Sequence, residues 1–403
     1  MFYRSVKLFL CISIFFTFKL YSQEFSQKIT LISEDVNEFS LNKEMYILSR
    51  NDSSIKLSNI RKAEDFSIQK KETPNFGFTK DVYWSKIILR NDSNIHDWFI
   101  IIPYPLIDKI EFYDLGVNGK WRRTTVGQKV PFNKRPISER SFVFPIQLEK
   151  YKIYTFYFKF QNEGPMQFPM YISSRETFYQ KQAKENFAIG LYYGILGVLL
   201  IYNLILLFIL KDLGYLYYIL FVISSAVAES VLNGVASKHL WPDSPDWTSR
   251  SLPIMGGLTL FWGLQFSRNF LNTGKIIPIL DRVILFLMFS VLILVFSPFV
   301  LTYPVLLYLL TTFIVIFFIA ILFASGVCLD KGYKPAWYFL LSWGIFILGI
   351  GFYAFKGFGL ESFQSFHEYG LLIGTIIVMC LLSVGLAYKL KLKELNRLYP
   401  EET

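Results

Sequence analysis

Apolar and polar positions divide this chain into two grammars. From Phe187 to Lys393 the apolar stretches are long and the polar breaks between them are brief. Charge-free runs at Phe187–Leu210, Ala336–Phe355 and Tyr369–Tyr388 each match the length that crosses a hydrocarbon core of about 30 Å at about 1.5 Å per helical residue. Val283–Leu329 is also uncharged, but it is twice that length. Its Ser297-Pro298 and Thr302-Tyr303-Pro304 predict a break into two helices. Gly214–Gly234, interrupted by Glu229, and Ser251–Leu271, interrupted by Arg268, complete a prediction of seven crossings.

Ahead of residue 175 the period changes to two. Tyr83–Asn91, Trp98–Tyr104, Lys109–Asp114, Arg140–Ile146, Tyr154–Phe160 and Phe168–Ile172 are short, aromatic and β-branched, with NDS, NGK, QNEG and proline between them. Such punctuation predicts an antiparallel sandwich or jelly roll. Residues 1–22 read as a signal peptide, with Arg4 and Lys7 ahead of the apolar Leu8–Phe18 and Ser22 at the cut. The expected layout is therefore an extracytoplasmic β domain over 23–174, a polar helical connector over 175–186, a seven-helix bundle over 187–390 and a short tail over 391–403. The fold class is a multidomain membrane protein, all-β and then all-α.

Loop charge orients the bundle, because Lys and Arg near helix ends stay on the cytoplasmic side. With the first helix entering from outside, the inner breaks carry ten cations: Lys211, Arg268, Lys275, Arg282, Lys331, Lys334, Lys389, Lys391, Lys393 and Arg397. The outer breaks carry three, Lys238, Arg250 and Lys356. This bias and a basic β domain account for much of the net charge of +10, so no nucleic-acid partner is expected. The 41 phenylalanines suit lipid and its interfaces. Cys11, Cys328 and Cys380 lie in apolar or membrane-flanking sequence, which leaves the β domain without a disulfide framework or a cysteine metal site.

Catalytic chemistry finds little support. Ser325 sits between small residues, but topology puts it at the opposite membrane face from His367, beyond the reach a serine–histidine pair needs. There is no HExxH and no glycine-rich phosphate loop, and His96, His239 and His367 are scattered. No catalytic residue, metal or cofactor is expected. Glu229 stands out, because a carboxylate inside a crossing is costly and ordinarily faces the bundle interior. Asn233 follows at i+4, and His367 and Glu368 lie at similar height. Together they form a candidate intramembrane polar site, with pairing of Glu229 to Lys356 as the plain alternative. Asn203 reads as interhelical glue, and Gln265 and Arg268 as membrane-interface residues. In the β domain Trp84, Tyr104, Trp121 and Arg122 are candidate ligand contacts, although each reads more readily as a core aromatic or a solvated turn charge, and Trp84 in particular as core.

GFTKDVYWSKIILRN followed by WFIIIPYPLIDKIEFY resembles the second type of extracellular domain of bacterial seven-transmembrane receptors with diverse intracellular signalling modules. The bundle is similar to that family's at GLYYGILGVLLIYNLILLFILKDLGYLYY (Gly190–Tyr218), NGVASKHLWP (Asn233–Pro242), FLN (Phe270–Asn272) and LSVGLAYKLK (Leu382–Lys391). The resemblance implies ligand sensing by a carbohydrate-binding-like jelly roll and passage of a signal through the bundle. Family members commonly continue into a kinase, cyclase or phosphatase. Here only about ten residues follow the last crossing, so the expected output is a separate cytoplasmic signalling protein docking on the tail, where Leu392, Leu395 and Tyr399 keep coiled-coil spacing. Membrane lipid and an extracytoplasmic small ligand are the other expected partners, and a homodimer is left open. The rival reading is a small-solute transporter or channel using Glu229. A subunit that merely anchors a complex is a third.

Overall fold

The computed structural model describes residues 28–116, 119–355 and 364–398; within 348–355, 364–369, 371 and 396–398 it describes the backbone alone. The predicted signal peptide, Lys356 and Tyr399 lie outside the described residues.

The β domain is a sandwich. One sheet has seven strands in the order β4(Ser67–Ile68)-β3(Tyr46–Arg50)-β6(Val82–Asn91)-β11(Ile153–Gln161)-β8(Lys109–Leu115)-β9(Trp121–Val126), with β1(Thr30–Ile32) running parallel to β6. The facing sheet has four, ordered β10(Phe142–Gln147)-β7(Asp97–Ile102)-β13(Tyr171–Ser174)-β2(Glu38–Ser40). A ribbon of β5(Asn75–Phe78) and β12(Pro165–Gln167) completes the domain. Alternation sends Tyr83, Ile87 and Leu89 of β6 inward with Phe156, Phe158 and Phe160 of β11, against Trp98, Ile100 and Ile102 of β7 and Phe142 and Phe144 of β10. The apolar run of β7 is unbroken because both its faces are covered. Phe99 and Ile101 point outward and meet Phe178 at the start of the first long helix. The short strands β1 to β5, β9 and β12 go beyond the predicted set; WRRTTV of β9, for example, offers no apolar alternation to detect.

Seven long helices follow: α1(Arg175–Leu210), α2(Leu213–Leu232), α3(Pro245–Leu271), α4(Pro278–Phe296), α5(Tyr303–Asp330), α6(Ala336–Phe355) and α7(Gln364–Leu398). Each packs on the next and α7 returns to α1, closing a ring, while α3 also touches α5 and α2 touches α7. Length and apolarity alone qualify five of them among the described residues: α1, α2, α4 with the 3-10 turn after it, α5 and the Leu372–Leu395 part of α7. α3, with Gly256, Gly257, Thr259, Gly263, Gln265 and Arg268 along its length, is not among them, and α6 is counted only over Ala336–Ile347. The α4–α5 break falls at Ser297–Phe299, with Pro304 in the first turn of α5.

The predicted connector and first crossing form one element. Ser174 ends β13 and caps α1, its Oγ accepting from the Thr177 amide at 3.4 Å. From there 36 residues, about 54 Å of helix, run without interruption to Leu210. Lys181 pairs with Glu38 at 2.8 Å and the Phe178 and Phe99 rings meet at 5.1 Å, so the first turns of α1 belong to the sandwich and the remainder to the bundle.

Candidate functional site: a polar clamp between α1, α2 and α7

The sandwich rests on the bundle through the segment after α2. Asn233 caps α2, and Gly234 turns the chain with φ of +72°, where a Cβ would lie 3.0 Å from the Pro105 Cβ. Both the left-handed backbone and the close approach demand glycine. Arg140 of the sandwich donates Nη1 to the Asn233 carbonyl at 3.3 Å and Nη2 to Glu185 of α1 at 3.1 Å, tying two helices to one loop. Lys238 pairs with Glu139 at 2.8 Å, and the Phe132 amide donates to the Pro242 carbonyl at 2.9 Å. The NGVASKHLWP stretch is thus the bundle's docking segment for the sandwich.

One turn below Asn233, Glu229 faces the ring interior. The Tyr192 hydroxyl of α1 donates to its Oε2, and the Thr375 hydroxyl of α7 donates to its Oε1 at 2.8 Å. A single carboxylate of α2 therefore joins the helix that enters from the sandwich to the helix that leaves at the far end. Deeper in the ring, Asn203 of α1 and Ser383 of α7 exchange two hydrogen bonds, at 3.0 and 3.1 Å. The Tyr218 hydroxyl of α2 donates to the Met379 carbonyl of α7 at 2.6 Å. Asn203 has no exposed surface, so its bonds replace water that lipid does not supply.

At the end far from the sandwich the C-terminus of α3 forms a second junction. Asn272 is left-handed with φ of +54°, and the orphan carbonyls of the last turn are shared out. Asn269 O accepts from Lys389 of α7 at 2.5 Å, and Phe270 O from the Tyr333 hydroxyl at 2.8 Å. Arg268 grips Asp281 of α4 through Nε and Nη2 at 2.8 and 2.9 Å, a bidentate pair. The FLN stretch is the stop of α3 and the anchor of α7.

The predicted polar site is only partly assembled. Glu229 holds its place, but its partners are Tyr192 and Thr375. Asn233 contributes backbone, its amide donating to Glu229 O at 2.9 Å. His367 and Glu368 lie in the first turn of α7, where the backbone alone is described, and Lys356 lies outside the described residues. Asn203 is interhelical glue as expected. Arg268, expected at an interface, is an ion-pair partner of α4. Ser325 merely returns its hydroxyl to Ile321 O at 2.6 Å. Tyr192, Thr375, Ser383 and Arg140 escaped the sequence reading. Tyr192, Thr375 and Ser383 are unremarkable in their apolar stretches until the ring brings them to a partner, and Arg140 finds its partners only where the sandwich meets the bundle.

The candidate ligand contacts of the β domain do not converge. Trp84 has no exposed surface and lies on the outer face of the seven-stranded sheet, with Tyr157 and Ile60 over it and Trp121 packed alongside. Arg61 stacks on Trp121 at 5.1 Å, and Arg122 is held by Asp114. Tyr104 belongs instead to the edge of the inter-sheet core. Near Trp84 the Glu111 carboxyl is pushed up by burial, but the Lys109 ammonium and Tyr113 hydroxyl outweigh this and hold it below the usual range.

Comparison with protein families now bears on this architecture. The family described as 7TM diverse intracellular signalling matches residues 185–389, just over half of the chain, and 7TMR-DISM extracellular 2 matches residues 42–174. The chain belongs to the 7TM diverse intracellular signalling family. A comparison with curated proteins finds no match. Membership makes the chain a multi-pass membrane receptor of signalling type with an extracellular domain, and the seven-helix ring and the sandwich are the bodies of the two matched regions. The clamp at Glu229 lies inside the first match, and Arg140 inside the second.

Proposed function

We propose that this receptor binds a small extracytoplasmic ligand through its β domain and passes the resulting shift down α1 and across the clamp to α7, whose cytoplasmic end engages a separate signalling protein. The observation that carries the proposal is the continuity of α1. It is sandwich helix and membrane helix in one, and it is bonded to the exit helix at two depths. A displacement at the sandwich reaches α7 without crossing a flexible joint. The inner breaks carry ten cations against three in the outer ones, a bias that supports a cytoplasmic side for the end far from the sandwich. Leu395 on the protruding last turns of α7 is exposed and available to a partner.

A photoreactive residue at Leu395 in native membranes tests this. Capture of a kinase, cyclase or phosphatase, with a yield changed at least about 3-fold by Tyr192→Phe, is the expected result. Tyr192→Phe removes the α1 donor to Glu229 and retains the ring. Capture indifferent to Tyr192→Phe would reduce the chain to an anchoring subunit. Loss of a solute flux in Glu229→Gln, with no tail partner, would make it a transporter.

A further inference from the structure

Between the sandwich and the bundle lies a cleft of about 1000 Å3 that the α1–α7 link does not use. Its sandwich wall carries Lys80, Asp108, Lys129 and Glu163; its bundle wall carries Asp246 and Arg250 of α3 and Leu301 and Tyr303 of the α4–α5 turn. Asp81 and Lys109 also line it but are held within the sandwich, by the Ser49 hydroxyl at 2.7 Å and by Glu111 at 2.8 Å. Apart from Lys80, the remaining charges fall into two groups. Lys129 sits 3.1 Å from Asp108 and 2.6 Å from Glu163, and Asp108 also accepts from Gln128 Nε2 at 2.7 Å, so these three are held by one another. Asp246 and Arg250 are exposed, and neither enters an ion pair among the described residues. They stand four residues apart on one helix, the spacing at which an acid and a base ordinarily meet. Arg250 instead lies over the Phe299 ring at 5.7 Å.

We propose that this cleft is the receptor's ligand site and that it takes a zwitterion with an apolar part. An ammonium faces Asp246, a carboxylate or phosphate faces Arg250 and Lys80, and the apolar part lies on Leu301 and Tyr303. An isolated anion or cation would leave one of the two α3 charges unanswered, and a neutral ligand both. The occupant touches the sandwich and the bundle at once, so its binding free energy depends on how they are docked, which is the differential affinity that a population shift requires. The apolar rim of the cleft bears on the source. Phe299 is 63% and Val300 86% exposed, as at a membrane surface. The same chemistry can therefore come from a free amino acid or short peptide, or from an ethanolamine phospholipid headgroup entering sideways.

This rests on the sensing role proposed above, but its test does not use the signal. The full chain is placed in nanodiscs of phosphatidylglycerol and titrated calorimetrically with the dipeptide leucyl-alanine. In parallel, nanodiscs containing phosphatidylethanolamine are examined by native mass spectrometry for retained lipid. One equivalent of dipeptide or of phosphatidylethanolamine is expected, weakened at least about 10-fold by Arg250→Gln and also by Asp246→Asn. Both substitutions are at exposed positions, and an unchanged thermal midpoint verifies that the fold is intact. Dipeptide binding identifies a free ligand, and phosphatidylethanolamine retention a lipid. Binding of neither probe overturns the site. Binding that Asp246→Asn leaves unchanged or tightens overturns the zwitterion in favour of a plain anion. Either failure leaves the Tyr192→Phe result standing, because transmission through α1 does not depend on where the ligand sits.

Discussion

The sandwich and the bundle hold themselves together by opposite means. The sandwich interior is dry and aromatic: Phe158 packs between Phe112 at 4.8 Å and Phe144 at 5.3 Å with no exposed surface, and no ion pair enters the space between the sheets among the described residues. Water outside makes apolar burial a sufficient drive. The bundle also has an apolar interior, around Phe266, Phe270 and Phe339. Lipid is as apolar as leucine, however, so that interior gives neighbouring helices little reason to prefer one another. What selects neighbours there is polar: Glu229 with Tyr192 and Thr375, Asn203 with Ser383, and Arg268 with Asp281. A receptor gains from this division. The sandwich is held by a continuous aromatic core, while the ring is held in register by a few directional bonds.

The contrast can be broken at three points. The largest effect is expected in the sandwich, where Phe158→Ala should cost about 3–5 kcal/mol as lost transfer energy plus a cavity, read as a lowered denaturation midpoint of the full chain. A cost below about 1 kcal/mol would mean that the core is not close-packed. Next comes Arg268→Ala, which strands Asp281 in the ring. A cost of about 3 kcal/mol is expected in detergent unfolding, largely recovered when Asp281 is also replaced by leucine. Failure of the second change to recover stability would show that the pair, and not the stranded charge, matters. The smallest effect belongs to Asn203 and Ser383. A double-mutant cycle to alanine should return about 0.6 kcal/mol. A coupling of several kcal/mol would show that the α1–α7 bond is a fixed strut and not an exchangeable contact.

Strands β6, β7, β8, β10, β11 and β13 and all seven long helices were legible because their signals are local, while the other strands were not. The apolar face of β6 is written at every second residue, and the α4–α5 break is written in Pro298 and Pro304. Glu229 was legible too, since a charge in an apolar run is conspicuous. Its partners were not. Tyr192 looks like any aromatic of a lipid-facing helix, and Thr375 like a tolerated hydroxyl. Arg140 was hidden for a different reason: it reads as the solvated end of a strand and becomes a two-helix tie only when the sandwich sits on the bundle.

The sequence by itself therefore determined the two bodies, the seven long helices and the single costly carboxylate, because periodicity and charge act over a few residues. Tertiary structure alone decided that connector and first crossing are one helix docked on the sandwich, and that Glu229 meets Tyr192 and Thr375, 37 and 146 positions away. Closing such distances depends on the order of helices around the ring. No local pattern encodes that order, since in lipid it is fixed by the polar contacts that the ring itself creates.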